Sequence, residues 1–189
     1  SYNSQVGVPL SVWLIDRHSE LGIFEAGISK PGEMRALRNI IQPTIAVLTN
    51  IGDAHQENFD SREAKCMEKL QLFHDAQVVV YNGDDVLVKH CISEQHDLHA
   101  EQLFWSCADA AAPFYINKVE KSGAATLVTY RYAGETNSYR LPFIDEASIS
   151  NSFACALVAL KLGISPETLA QRMAQLEPIA MRLEVKEGQ

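Results

Sequence analysis

The sequence predicts an α/β fold, a mostly parallel sheet flanked by helices and followed by an antiparallel three-strand meander. Three observations carry this expectation. Apolar runs and helix-period segments alternate through the first half of the chain. The runs "TIAVLTNIG" and "AQVVVYN" are almost continuously apolar and rich in β-branched residues, as strands covered on both faces are. After Phe114 the pattern changes to alternation broken by turn residues, which reads as hairpins.

The elements follow in order. Val8 to Arg17 reads as a helix with Pro9 in its first turn. "LGIFEAG" (Leu21–Gly27) reads as a short buried strand containing one acid, and "PGEMRALRNII" as a helix with Pro31 near its start. Thr44–Gly52 is a second buried strand. Ser61 to Asp75 is a helix with Asp60 or Ser61 as N-cap. "AQVVVYN" is a third strand, stopped by "NGDD", before a helix from about Asp84 to Ser93 and a strand around Leu103–Trp105. Turn signals at Lys121–Gly123 and Ala133–Asn137 divide the meander. Two helices, Ser148–Leu162 and Ser165–Leu176, come next, and "MRLEVKEG" reads as the entry to a further strand.

A chain of 189 residues can enclose one good core, so one domain is the default count. The apolar share of 47% and charged share of 21% are those of an ordinary soluble protein. A net charge of -8 argues against a broad nucleic-acid face, which must be basic. A small phosphorylated ligand held by local groups or metal ions is compatible with it. The four cysteines, Cys66, Cys91, Cys107 and Cys155, show no C-x-x-C spacing and read as small buried hydrophobes in a reducing compartment. No signal peptide and no apolar run near the ~20 residues of a membrane span is visible. A cytoplasmic protein without membrane insertion is expected.

In an open parallel sheet, ligands bind beyond the carboxyl ends of the strands. Glu25–Ser29, Asn50–His55 and Asn82–Asp85 fall there. Glu25, at the end of an apolar run, is paired, metal-bound or neutral if buried, or else an edge acid or a helix cap. His55, after a glycine-containing turn, is a ligand or simply a loop histidine facing solvent. Together the two lean toward a hard divalent cation such as Mg²⁺, which usually works on phosphates. Lys65 and Lys69 stand i,i+4 on one helix face, which by spacing alone reads as solvated. "NGDD" places carboxylates at a helix N-terminus. Asn151, in the early turns of an otherwise apolar helix, caps it or hydrogen-bonds a ligand edge. Arg182 is a weak sign of a phosphate clamp. The chain contains neither G-x-x-x-x-G-K-[ST] nor G-x-G-x-x-G, and "SYNSQVGVPLSVW" does not read as a first strand. A first βα unit carrying the phosphate loop is therefore expected to be absent.

The ordered motifs "SYNSQVGVP", "FEAGISKPGEM", "TNIGDAHQENF", "EKLQLF", "YNGDD" and "MRLEV" resemble the central ATPase domain of the Mur ligases, the ATP-dependent amide-forming enzymes of peptidoglycan synthesis. "GISKPGEM" and "TNIGDAH" point to the branch that joins D-Ala-D-Ala to UDP-MurNAc-tripeptide. The resemblance spans nearly the whole chain. It implies a P-loop-NTPase-like central domain over 1–189, partial, with the UDP-substrate domain, P-loop and C-terminal domain outside this chain.

By the same resemblance, ATP and Mg²⁺ are the cofactors. Glu25 and His55 are metal ligands, and Lys69 is the lysine that reacts with CO₂ to give a carbamate at the metal site. His55 and carbamylated Lys69 then count as the catalytic pair. Asn151 reads the adenine edge, and Arg182 contacts the nucleotide. Asn3 and Gln5 face the nucleotide-sugar substrate, a weaker transfer. The family usually writes H-N-x-x-N on the later helix, whereas this chain writes "ASISN" (Ala147–Asn151) and keeps only the last Asn. The "DEASISNS" form is similar to ligases fused to an alanine racemase domain. The implied reaction is amide formation through an acyl phosphate, with the isolated chain inactive. Two alternatives stand beside it: another Mur ligase or a folylpolyglutamate synthase, and a non-catalytic binding module of the same fold.

Overall fold

A computed structural model describes residues 2–177. The chain divides between Leu103 and Phe104 into two compact units.

The first unit opens with helix α1 (Gly7–Trp13) and helix α2 (Glu33–Ile41). Strand β1 (Ile45–Leu48), helix α3 (Arg62–Leu70), strand β2 (Val78–Asn82) and helix α4 (Val86–Ser93) follow. β1 and β2 pair in parallel, from Ile45 opposite Val78 to Leu48 opposite Tyr81. Val78, Val79, Val80 and Tyr81 are all buried, so the unbroken apolar run reports a strand with both faces covered. A second apolar cluster joins Val8, Ile28, Met34, Leu37 and Phe59, with Leu72 packed against it. It ties α1 and α2 to the loop that leads into α3.

Caps explain the helix starts. Ser61 accepts the Ala64 amide at 3.0 Å and starts α3. Asp85 accepts the Val88 amide at 3.1 Å and starts α4, while Asn82 Oδ1 accepts the Asp84 amide at 2.9 Å. Of the two "NGDD" carboxylates, that of Asp85 thus has a capping role. α2 starts later than expected. Gly32 is its N-cap with φ 86°, so Pro31 lies outside the helix. α1 stops at Trp13 instead of Arg17, with Leu14 as C-cap.

One expected element is absent. Leu21–Gly27 forms no strand, and Leu21 and Ile23 are 60% and 87% exposed. A strand exists through ladder bonds to a neighbour, and no described strand pairs with this segment. Its link to the chain start is a bond from the Gly27 amide to the Asn3 carbonyl at 2.7 Å. A Cβ at residue 27 would lie 3.0 Å from that oxygen, so glycine permits the approach.

Strand β3 (Glu101–Ser106) runs through the division of the chain. In the second unit its end pairs in parallel with β4 (Phe114–Ser122), Trp105 opposite Phe114. β4, β5 (Ala125–Tyr132) and β6 (Glu135–Leu141) form the expected antiparallel meander. Its turns hold Gly123 at φ 59° and Ala133–Gly134 at φ 51° and 85°. Helices α5 (Glu146–Lys161) and α6 (Pro166–Met173) are capped by Asp145 and Ser165. Phe114, Tyr130, Tyr139, Leu141, Ile149 and Leu157 are buried here. The Phe114 and Tyr130 rings stack at 4.8 Å. No described helix is long and apolar enough to cross a membrane.

Candidate functional site

In the first unit His55 lies in the loop between β1 and α3 and Lys69 on α3 itself, while Asn3, Gln5 and Glu25 lie in the segments before α2. β1 ends at Leu48, and residues 51–55 lead to a short 3₁₀ turn (Gln56–Asn58). His55 caps that turn in the left-handed conformation, φ 60° and ψ 20°. Its side chain is exposed. A left-handed non-glycine residue is unfavourable, and such residues persist where the surroundings over-determine them.

Those surroundings come from α3. Arg62 Nη2 donates to the Ile51 carbonyl at 3.0 Å. Lys65 Nζ donates to the Gly52 carbonyl at 2.6 Å and the Ala54 carbonyl at 2.5 Å. Lys65 is buried, 2% exposed. The expected solvated face is therefore corrected for this lysine: it turns inward and binds the loop. Arg62 and Lys65 lie three apart, so they share one helix face. Sequence reasoning passed over Arg62 and read Lys65 as part of a solvated face. The available signal was two cations on one face of α3, just after a polar, glycine-containing loop.

One turn further along α3, Lys69 is half-buried. Burial pushes its ammonium below the ordinary lysine value, and the charge of Lys65 adds to the effect. Cys66 opposes it weakly. Cys66 and Cys91 are both buried and hydrogen-bonded to one another between α3 and α4, and burial pushes each thiol up. Cys107 and Cys155 are exposed, so the reading of the cysteines as buried hydrophobes holds for two of the four.

Glu25 differs from expectation. Its carboxylate is exposed, because the segment that carries it forms no buried strand. Glu25 Oε1 accepts from Asn3 Nδ2 at 2.9 Å. The structure thereby joins two candidates that lie twenty-two residues apart in sequence. Gln5 is half-buried, and its Nε2 has no hydrogen-bond partner among the described residues. Among the described residues, no three His, Cys, Asp or Glu side chains gather where they could share an ion.

Asn151 belongs to the second unit, exposed on α5. It is not the cap, since Asp145 accepts the Ser148 amide at 2.8 Å and fills that role. Arg182 lies outside the described residues, as does the expected strand entry "MRLEVKEG".

Comparison with known proteins adds the following. Residues 1–159 match the family model described as the Mur ligase middle domain. The chain is 27% identical over 188 residues to the UDP-N-acetylmuramoyl-tripeptide–D-alanyl-D-alanine ligase of Bacillus subtilis, covering 98% of this chain and 39% of the relative. Its fold is similar to that of MurF from Acinetobacter baumannii, with a TM-score of 0.86, 22% identity, and coverage of 97% of this chain and 40% of that one. MurF ligase from Thermotoga maritima in complex with ADP is similar over 80% of this chain and 34% of its own, with a TM-score of 0.67 and 21% identity. The chain thus spans about two-fifths of the length of the curated relative it matches.

Proposed function

The chain belongs to the Mur ligase middle-domain family, and from that premise we propose that it is the ATP-binding part of a longer ligase. That ligase joins D-alanyl-D-alanine to a UDP-N-acetylmuramoyl-tripeptide in peptidoglycan synthesis. The observation that carries the reading is the match of 98% of this chain to a relative named for that reaction. Residues 1–189 supply most of the central domain. The UDP-substrate domain, the phosphate loop and the C-terminal domain belong to other parts of the longer protein.

The residues take distinct roles. Mg²⁺ usually takes only one or two protein carboxylates, with water and phosphate filling the remaining positions. The exposed Glu25 carboxylate fits that sparse donor set, and the exposed His55 imidazole is the second donor. Lys69 as an ammonium cannot ligate a cation. Its neutral amine adds to CO₂, forming an N–C bond and releasing a proton, and the resulting carbamate supplies oxygen donors. The lowered proton affinity of Lys69 supports this, because it enlarges the neutral fraction that reacts. Held by Glu25, His55 and carbamylated Lys69, Mg²⁺ would supply neutralisation of phosphate charge. Asn151 hydrogen-bonds the adenine edge and Arg182 contacts the nucleotide. Asn3 and Gln5 face the nucleotide-sugar substrate. The unpaired Gln5 amide supports that placement, since a buried donor without a partner is costly unless a ligand satisfies it.

The test is phosphate release by the longer protein that contains this segment. It should require ATP, UDP-MurNAc-tripeptide and D-Ala-D-Ala together, and the isolated chain should turn over no ATP. Lys69→Ala should strongly lower ligation, with partial rescue by a small carboxylate. Phosphate release indifferent to either co-substrate would sink the reading.

A further inference from the structure

Lys65 is the only buried charged side chain among the described residues. No described carboxylate lies within ion-pairing distance of it. An ammonium held this way costs several kcal/mol of desolvation, roughly, and a well-packed apolar residue would usually serve stability as well or better. What the charge does here is visible in its bonds. Nζ donates to the Gly52 and Ala54 carbonyls at 2.6 and 2.5 Å. The Ala54 carbonyl belongs to the same rigid peptide plane as the His55 nitrogen. Fixing that plane fixes the frame about which φ of His55 turns, and that φ is 60°.

We propose that Lys65 is a positioning residue, whose buried ammonium ties the 52 and 54 carbonyls to α3 and thereby holds His55 in its left-handed conformation. Arg62 extends the same grip to the Ile51 carbonyl. The part of this inference that concerns metal binding rests on the reading that His55 works at a metal–nucleotide site. The conformational part does not.

The experiment uses the chain itself, observed by NMR. In Lys65→Met the apolar side chain keeps its length and loses every donor. The Cα and Cβ shifts of His55 should lose their left-handed signature while the Val79 and Val80 amides stay protected. Lys65→Arg, which keeps donors, should restore much of the signature. A folded Lys65→Met variant with an unchanged His55 signature overturns the proposal. Should that variant fail to fold, the unsubstituted chain decides. Slow exchange of the Lys65 ammonium, with through-bond couplings to the Gly52 and Ala54 carbonyls, supports the proposal. Exchange as fast as that of a free lysine refutes it.

In the longer ligase, Lys65→Met should raise the Mg²⁺ concentration for half-maximal rate by about tenfold, the size typical of losing a residue that orients a metal ligand. Lys65→Arg should recover most of it. An unchanged Mg²⁺ requirement in a variant whose His55 has moved would refute the link to the metal site. A longer protein with no ligase activity would instead refute the functional reading, and the NMR result would still settle the role of Lys65.

Discussion

Glu68 of α3 accepts the backbone amide of Met34 at 3.0 Å, so one helix supplies the cap of another. α2 needs that help. Its N-cap is Gly32, which has no side chain to offer, and Glu33 turns back to accept the Ser29 and Lys30 amides at 2.6 and 3.0 Å. The carboxylate also sits where the α2 dipole favours negative charge. Glu68 is the immediate neighbour of Lys69, so the bond that anchors α2 also ties down the turn that carries Lys69.

Glu68→Ala should therefore destabilise the chain by about 1 kcal/mol, the usual cost of losing a cap. Glu68→Gln keeps an acceptor and should cost less. Urea midpoints at unchanged slope measure both. Equal losses for the two variants would mean that the side chain acts through charge alone.

The backbone at His55 offers a separation of strain from function. A left-handed non-glycine residue costs roughly 1–2 kcal/mol, while glycine loosens the unfolded chain by roughly 0.4–1 kcal/mol. His55→Gly should then raise stability by about 0.5–1 kcal/mol, while abolishing any role of the imidazole in the longer ligase. His55→Val should be destabilising, because a β-branched residue is a true outlier at φ 60°. Thermal and urea unfolding of the two variants would show opposite signs. A glycine variant less stable than the unsubstituted chain contradicts the strain account.

Much of this molecule is legible in its sequence where a local rule and the tertiary context agree. The buried strand Val78–Asn82, the cap at Ser61 and the three-strand meander follow from apolar runs, capping residues and turn residues that the packing respects. Failures arise where the deciding partner is distant. Leu21–Gly27 has a strand's composition, but composition does not supply a neighbour to pair with. Lys65 and Lys69 share one spacing and one residue type, yet one is buried on two carbonyls and the other is only half-covered. Spacing on a helix sets which residues are neighbours and leaves open what lies opposite them. Asn3 and Glu25 meet across a gap of twenty-two residues, beside a close approach of the chain start to Gly27 that no local pattern announces.

In the second unit the Tyr139 hydroxyl and Ser152 Oγ lie 2.9 Å apart, both buried, and Ser152 also donates to the Ile149 carbonyl at 2.6 Å. Tyr139 must then be the donor of the pair. Ser152→Ala leaves that buried hydroxyl without an acceptor and should cost about 1–3 kcal/mol. Tyr139→Phe removes the donor and should cost closer to 1 kcal/mol. Burial pushes the Tyr139 phenol above its ordinary value of 10.0. The unfolded chain therefore loses its proton first, so this stabilisation is complete below that value and fades as pH rises toward the folded one. The alkaline loss of stability should be smaller in Tyr139→Phe than in the unsubstituted chain. Identical losses would place the alkaline sensitivity elsewhere, for example at Tyr81 or Tyr130, whose phenols burial also raises.

Lys69 has the opposite sign. Burial and Lys65 hold its proton affinity below the ordinary lysine value of 10.5. The folded chain thus binds this proton less readily than the unfolded one, and stability rises with pH until the unfolded lysine also becomes neutral. At about neutral pH the charged form is a burden on the fold. Lys69→Met should raise the urea midpoint there, and the advantage should shrink as the pH approaches 10.5. Adding bicarbonate gives the same residue a second test. A carbamate that forms only on the folded chain stabilises it by mass action, so bicarbonate should raise the midpoint of the unsubstituted chain and leave Lys69→Met unmoved. A ¹³C resonance from labelled bicarbonate, present with Lys69 and missing from the methionine variant, identifies the adduct directly. If bicarbonate shifts both midpoints equally, the effect is a salt effect and the lysine takes no part in it.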